Sequence, residues 1–127
     1  MVGIVIVSHS EKLAEGVKEL ALAMASDVKI AVAGGLEDGS LGTSFGKIKD
    51  AIDSVYSPDG VAVLLDMGSA LLTTEMVIES LSDENIKIID SPLVEGAALA
   101  AVEATSGTTL NTLCDRVKET WVTRKIV

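Results

Sequence analysis

Aromatic side chains make up only 2% of the 127 residues, with a single phenylalanine, tyrosine and tryptophan. Proteins that bind single-stranded nucleic acid stack its bases on aromatic rings, so this composition excludes a stacking surface of that kind. The one cysteine, Cys114, cannot form a disulfide within the chain, and its helix-like apolar surroundings predict a small core residue. The apolar residues are mostly Val, Ile, Leu and Ala, which suit packed layers of helices and strands.

Basic residues are outnumbered, since ten lysines and arginines face nineteen acidic residues and the formal net charge is -9. The electrostatic field of a chain with this negative charge repels nucleic-acid backbones and anionic lipid. A basic protein is therefore a better partner than either. Long hydrophobic runs are also missing, because the apolar residues 1–8 are too few for a signal sequence or a membrane span and lack a basic flank. We therefore expect a cytoplasmic protein without a membrane partner.

Two alternating patterns fill the chain. Short runs rich in branched aliphatic residues predict buried strands at residues 3–7, 28–32, 61–65 and 86–89. Between them, apolar residues recur at helical spacing, as at Leu13, Val17 and Leu20, and predict helices at residues 11–25, 42–56 and 69–82. This alternation predicts an α/β fold with a doubly wound, mainly parallel sheet in the strand order 2-1-3-4 and helices on both faces.

The last third of the chain is more helical. Pro92 marks a loop, after which residues 95–105 and 110–122 predict two further helices. Residues 124–127 leave three interpretations open: a frayed end, an extra edge strand, or an arm that pairs with another subunit. Because no linker or repeat interrupts the pattern, we expect residues 1–127 to form one domain.

Polar segments follow the first three predicted strands, at residues 8–10, 34–46 and 66–70. Ligands of open α/β sheets bind beyond the carboxyl ends of the strands, at the point where the strand order reverses. In the order 2-1-3-4 the first and third strands are neighbours, which brings His9 and Asp66 together. Topology alone therefore predicts a carboxylate–imidazole pair.

The only histidine, His9, has two interpretations. A lone histidine at a strand end is more often a structural residue than a catalytic one. Its position favours chemistry, however, because Ser8 or Ser10 can cap the following helix, with Glu11 completing a capping box with Ser8, and a helix N-terminus attracts anions. A neutral imidazole nitrogen can attack phosphorus if the other nitrogen keeps its proton.

Asp66 is placed to accept that proton's hydrogen bond, and it can equally serve as a helix N-cap with Gly68 in the turn. The glycine-rich segment 34–46 is either a plain loop or a receptor for phosphoryl oxygens, through flexible backbone at Gly35 and the hydroxyl of Thr43. It lacks a Walker A lysine and G-x-G-x-x-G spacing, which disfavours nucleotide binding. Leu13, Met67 and Leu71 are candidates for partner docking, although a core position is favoured for Leu13.

Three motifs occur in an order typical of a known family: Val5-Ile-Val-Ser-His-Ser10, Asp66-Met-Gly-Ser-Ala-Leu-Leu72 and Pro92-Leu-Val-Glu-Gly96. With them, the chain resembles the phosphotransferase subunits of bacterial phosphotransferase-system-dependent dihydroxyacetone kinases, in the mannose-type enzyme IIA family. The resemblance extends over nearly the whole chain.

This resemblance implies that His9 accepts a phosphoryl group from the histidine phosphocarrier protein and passes it to ADP on the nucleotide-binding kinase subunit. It implies Asp66 as the residue that orients His9, with Gly68 and Ser69 near the phosphoryl group. We add Ser10, Gly35 and Thr43 as candidate phosphoryl-binding residues and expect no metal on this chain. ATP or ADP with magnesium would belong to the partner subunit, dihydroxyacetone would bind elsewhere in the complex, and a homodimer acting in glycerol metabolism is implied.

Two other kinds of protein compete with this interpretation. A serine hydrolase could use Ser69, His9 and Asp66, but the G-x-S-x-G nucleophile turn is missing. A non-catalytic receiver or flavodoxin-like binding module would share the topology. A receiver requires an acidic cluster after the first strand, where this chain has residues 8–10, and a flavin site usually adds aromatic stacking.

Overall fold

Four parallel strands form the centre of the protein in its computed structural model, which describes residues 1–82 and 85–120. The strands lie in the order β2-β1-β3-β4, which confirms the predicted α/β fold and strand order. In chain order the elements are β1 (Gly3–Ser8), α1 (Glu11–Met24), β2 (Ile30–Gly34), α2 (Phe45–Val55), β3 (Val61–Leu65), α3 (Gly68–Leu81), β4 (Ile86–Ile88), α4 (Leu93–Thr105) and α5 (Leu110–Thr120).

Alternate residues of the central strand β1 face two separate cores. Ile4 and Ile6 lie in a cluster completed by α1, α4 and α5, whereas Val5 and Val7 lie in one completed by α2 and α3. All four side chains are fully buried, which explains why the strand is apolar at successive positions. Helices therefore cover both faces of the sheet.

Several predicted boundaries are wrong by two or three residues. Strand β2 was expected at residues 28–32, but its pairing with β1 begins at Ile30 and ends at Gly34, opposite Ser8. Helix α2 was expected from residue 42 and begins at Phe45, because the side chain of Ser44 accepts a hydrogen bond from the backbone of Lys47 and caps it. Helix α4 begins two residues early, directly after Pro92.

One buried hydroxyl of helix α3 is unusual. Thr74 is fully buried on the face of the helix that also buries Ala70 and Val77. Among the residues that the structure describes, no group forms a hydrogen bond with its Oγ1. Its hydroxyl therefore adds polarity to the core without a compensating partner.

The end of the chain beyond Thr120 lies outside the described residues, and with it the predicted helix end at residue 122 and the extra edge strand or arm at residues 124–127. Within residues 1–82 and 85–120, no helix is both long and apolar enough to cross a membrane.

Candidate functional site

The carboxyl ends of β1 and β3 lie side by side, because Val7 pairs with Leu65 in the parallel register. The chain leaves both strands at the same edge, so His9 and Asp66 face one another there. Nδ1 of His9 lies 2.9 Å from Oδ1 of Asp66, as topology predicted. The two side chains are 22% and 12% exposed, so the pair is sheltered but open to a partner on one side.

The carboxylate of Asp66 receives four hydrogen bonds. Its Oδ1 accepts from the ring of His9 and from the backbone N–H of Met67 at 2.7 Å. Its Oδ2 accepts from the hydroxyl of Ser8 at 2.8 Å and from the backbone N–H of His9 at 3.0 Å. Burial alone raises the pKa of Asp66, but the hydrogen bonds from His9, Ser8 and Met67 outweigh it and hold the pKa below 3.8.

The alternative role of Asp66 as a helix cap is wrong. Met67 occupies the N-cap position of α3 with an extended backbone and without a side-chain cap. Asp66 instead bonds to the N–H of its neighbour and reaches back to the end of β1. Two of the four hydrogen bonds that the carboxylate of Asp66 accepts come from His9, one from its ring and one from its backbone N–H.

The two ring nitrogens of His9 have different surroundings. Because Nδ1 faces an ionised carboxylate, we assign the proton of the neutral ring to Nδ1. Nε2 then carries a lone pair, and it contacts the hydroxyl of Ser69 in the first turn of α3. In this tautomer the nitrogen beside Ser69 is the one without a proton.

The serines on either side of His9 have different roles. Ser10 caps α1, since its hydroxyl accepts from the N–H of Leu13 at 3.2 Å. The predicted capping box between Ser8 and Glu11 is wrong, because the hydroxyl of Ser8 accepts from the N–H of Ser10 and donates to Asp66. The hydrogen bond from Ser8 to Asp66 was not predicted, since the sequence around Ser8 also fits a capping box.

The glycine-rich segment 34–46, which begins at the end of β2, forms hydrogen bonds to the backbone at the end of β1. The N–H of Gly35, at a φ of +68°, donates to the carbonyl of Ser8, and the N–H of Gly42 donates to the carbonyl of His9. The hydroxyl of Thr43 lies 3.2 Å from that of Thr73, which itself donates to the carbonyl of Ser69. The N–H of Gly35 and the hydroxyl of Thr43 thus both have partners within the protein. Phosphoryl binding by these two residues stays a prediction.

Thr73 is a supporting residue that sequence analysis missed. The available signal is its spacing, since a residue four positions after Ser69 lies on the same face of a helix. Through Thr43 it joins the loop to the first turn of α3.

Three apolar side chains close in sequence to His9 or Asp66 are exposed. Leu13, Met67 and Leu71 are 43%, 60% and 38% exposed. The core position favoured for Leu13 is wrong, because α1 lies against the sheet through the smaller residues Ala14, Val17 and Ala21. An open groove of about 480 Å³ runs beside Asp66, between the ends of β3 and β4.

The charges of this groove are acidic, since Glu75 and Asp90 line it together with Asp66. Its remaining lining includes the apolar Leu71 and Ile88. Across the described residues, no group of three or more histidine, cysteine or acidic side chains is arranged to hold a metal ion. The groove beside Asp66 thus combines apolar and acidic character.

Cys114 lies away from this site and is partly buried against the core formed by α1, α4 and α5. Burial raises the pKa of its thiol to about 11. A thiol that keeps its proton is a poor nucleophile.

The fold and the site together define a parallel α/β domain that presents a histidine, hydrogen-bonded to a carboxylate, at the point where its strand order reverses. Residues 3–114 match the model of the EIIA-man family, described as the PTS system fructose IIA component. The chain belongs to this family.

Curated relatives share the match. The chain is 35% identical over 117 residues to the "PTS-dependent dihydroxyacetone kinase, phosphotransferase subunit DhaM" of Lactococcus lactis, covering 92% of this chain and 94% of that protein. It is 46% identical over 114 residues to the "phosphoryl donor subunit DhaM" of Escherichia coli, covering 84% of this chain and 24% of that protein. The chain therefore spans about a quarter of the length of the E. coli relative.

Solved structures share the fold. The crystal structure of EF1359, a protein of unknown function, superposes with a TM-score of 0.82 at 29% identity, over 94% of this chain and 95% of that one. The dihydroxyacetone kinase of C. freundii superposes with a TM-score of 0.67 at 11% identity, over 94% of this chain and 24% of that one. The second likeness concerns the fold alone.

Replacing Asp66 by asparagine should lower the free energy of unfolding by about 1–2 kcal/mol at neutral pH, since a buried carboxylate with four donors is lost. Because the pKa of Asp66 is lowered on folding, its contribution is present above the pKa of the unfolded chain and is lost as the pH falls through the folded value. The difference in the free energy of unfolding between wild type and Asp66→Asn should therefore narrow as the pH falls below 3.8, measured by urea titration.

The matched control is Asp53→Asn, whose carboxylate pairs with Lys49 on the exposed surface of α2. This variant should change stability by less than about 0.5 kcal/mol. A gap for Asp66→Asn that stays constant between neutral and acid pH would contradict the assignment of an ionised, hydrogen-bonded Asp66.

Proposed function

We propose that this chain is the phosphoryl-transfer subunit of a phosphoenolpyruvate-dependent dihydroxyacetone kinase. His9 accepts a phosphoryl group from the histidine phosphocarrier protein and passes it to ADP bound on the nucleotide-binding kinase subunit. The observation that carries the proposal is the geometry of the ring, with Nδ1 held by Asp66 and Nε2 directed outwards. The printed names of the L. lactis and E. coli relatives support the same activity.

The first transfer begins with the lone pair of Nε2. It forms a bond to the phosphorus of the phosphorylated carrier, while the phosphorus–nitrogen bond of the carrier breaks and its electron pair returns to the carrier's ring. The His9 ring keeps its Nδ1 proton and gains positive charge. Asp66 stabilises that charge through the 2.9 Å hydrogen bond, as the carboxylate of a hydrolase triad does.

The second transfer reverses this chemistry. An oxygen of the β-phosphate of ADP attacks the phosphorus, the bond to Nε2 breaks, and its electron pair returns to the His9 ring. ATP forms on the partner, and its magnesium belongs to the partner's site. His9 thereby regains the neutral form in which it began.

The start of α3 is the natural place for the phosphoryl oxygens. The first N–H groups of a helix have no partner within it and attract anions, and here they belong to Gly68 and Ser69. A side chain at Gly68 would meet nothing within 4 Å, so there is open space beside its backbone. The hydroxyl of Ser69 can turn from Nε2 to a phosphoryl oxygen. Ser10, the N-cap of α1, lies at a second helix N-terminus that attracts anions.

The surroundings of His9 suit a basic protein. Leu13 and Met67 give exposed apolar contact area, and the carboxylates of Glu75 and Asp90 supply negative charge beside it. Complementary charge speeds encounter between a carrier and its acceptor. A homodimer, a cytoplasmic location and a place in glycerol metabolism belong to the same proposal, on the strength of the family resemblance.

A second candidate function has one observation in its favour. The hydroxyl of Ser69, the ring of His9 and the carboxylate of Asp66 form a continuous hydrogen-bonded series like that of a serine hydrolase. Ser69, however, lies in the first turn of α3 and not in a G-x-S-x-G turn. The family relationship favours phosphoryl transfer over hydrolysis.

Incubation with phosphoenolpyruvate, enzyme I and the phosphocarrier should add one phosphate to the wild-type protein, measured by intact mass. The label should be acid-labile and base-stable, because it is a phosphoramidate on His9. His9→Ala should add none, and Cys114→Ser, which alters a residue far from the site, should add one as the wild type does. Full labelling of His9→Ala would overturn the assignment.

Ser69→Ala separates the two candidate functions. If Ser69 only assists the phosphoryl group, its loss removes one hydrogen bond to a charged ligand and should slow transfer by about tenfold. The rate is measured in a single turnover by rapid quenching, alongside hydrolysis of p-nitrophenyl acetate. Ester hydrolysis by the wild type that disappears in Ser69→Ala, together with absent phosphorylation, would favour the hydrolase.

A further inference from the structure

The last residue of β1, Ser8, is a fully buried polar side chain next to the site. It does not touch the ring of His9, and neither the family match nor the names of the relatives assigns it a role. Its neighbours along the strand, such as Val7 and Ile6, are completely apolar and equally buried. A hydroxyl at this position therefore requires a specific hydrogen-bonding partner.

The hydrogen bonds of Ser8 have a fixed direction. The N–H of Ser10 can only donate, so the hydroxyl oxygen of Ser8 accepts from it, at 3.0 Å. The hydroxyl hydrogen is then free to point in one useful direction, to Oδ2 of Asp66 at 2.8 Å. Both ends of the hydroxyl are used, which leaves Ser8 no alternative orientation.

All four lone-pair sites of the Asp66 carboxylate are occupied only because Ser8 supplies one of the donors. The backbone N–H groups of His9 and Met67 supply one donor to each oxygen, and the ring of His9 completes Oδ1. Without Ser8, a buried lone pair of Oδ2 would face the apolar end of β1. A carboxylate avoids that cost by turning towards water, which moves Oδ1 away from the ring.

We propose that Ser8 is a positioning residue that holds the Asp66 carboxylate against Nδ1 of His9 and so selects the tautomer in which Nε2 carries no proton. This inference rests on the proposed function only for its consequence, the rate of phosphoryl transfer. The tautomer itself can be measured without any partner protein. Ser8 acts through Asp66 and makes no contact with the phosphoryl group.

The test uses Ser8→Ala, Asp66→Ala and the double variant, in protein labelled with ¹⁵N at histidine. At a pH where the ring is neutral, long-range ¹H–¹⁵N correlation reports which nitrogen carries the proton. Single-turnover phosphorylation by the phosphocarrier gives the rate. Thr74→Val is the matched control, because it also removes a buried hydroxyl, but one without a partner among the described residues.

In the wild type and in Thr74→Val, we expect the proton on Nδ1 alone. Ser8→Ala should show a mixture of the two tautomers and about a tenfold lower rate, equivalent to one hydrogen bond to a charged group. In the Asp66→Ala background, adding Ser8→Ala should change neither the tautomers nor the rate, since the group through which Ser8 acts is gone.

Ser8→Ala with the wild-type tautomer would overturn the inference, as would an equal loss of rate in the Asp66→Ala background. Should Ser8→Ala fail to fold, Ser8→Cys fills the same space with a weaker donor, and its tautomer ratio should lie between those of the wild type and Asp66→Ala. If the wild type shows the Nδ1–H tautomer but accepts no phosphate, the proposed function fails while the positioning by Ser8 stands.

Discussion

The carboxylate of Asp66 is the interaction on which the site depends. It accepts from Ser8 and His9 at the end of β1 and from Met67 at the start of α3, and so joins the turns that follow two neighbouring strands. The parallel pairing of β1 with β3 places it there, because Val7 lies opposite Leu65. Strand order and side-chain chemistry thus act together, and neither alone would orient the histidine.

Much of this arrangement could be predicted from the sequence. Branched aliphatic runs in a parallel sheet, separated by helical patterns, leave few possible topologies, and the strand order followed from them. The meeting of His9 with Asp66 is a consequence of that order and of the lengths of the strands. Because both residues follow directly after a strand, small errors in the helix boundaries did not affect the prediction.

Other features depend on packing and on competition between hydrogen bonds, which a single sequence does not show. Leu13 fits an apolar helical pattern, yet α1 approaches the sheet through Ala14 and Ala21 and leaves the larger side chain exposed. Ser8 fits a capping box, yet Ser10 caps α1, and the hydroxyl of Ser8 accepts from the N–H of Ser10 and donates to the carboxylate of Asp66. Packing of α1 against the sheet decided the first case, and a carboxylate from the end of β3 took part in the second.

The packing of α1 also determines which apolar side chains are exposed to a partner. With its small residues turned inwards, α1 leaves Leu13 exposed, and Met67 and Leu71 are exposed at the start of α3. The glycine-rich loop holds the backbone at the end of β1, since the N–H of Gly35 donates to the carbonyl of Ser8 and that of Gly42 donates to the carbonyl of His9. With 22% of its side chain exposed, His9 is accessible to a partner that delivers or takes a group.

The central claim is that His9 reacts through Nε2 while Asp66 retains the proton on Nδ1. The most direct test is ³¹P and ¹⁵N nuclear magnetic resonance of the phosphorylated protein, labelled with ¹⁵N at its only histidine. The account predicts a phosphorus–nitrogen coupling at Nε2 and a protonated Nδ1. Phosphorus bonded to Nδ1, or to the oxygen of Ser69, would contradict it.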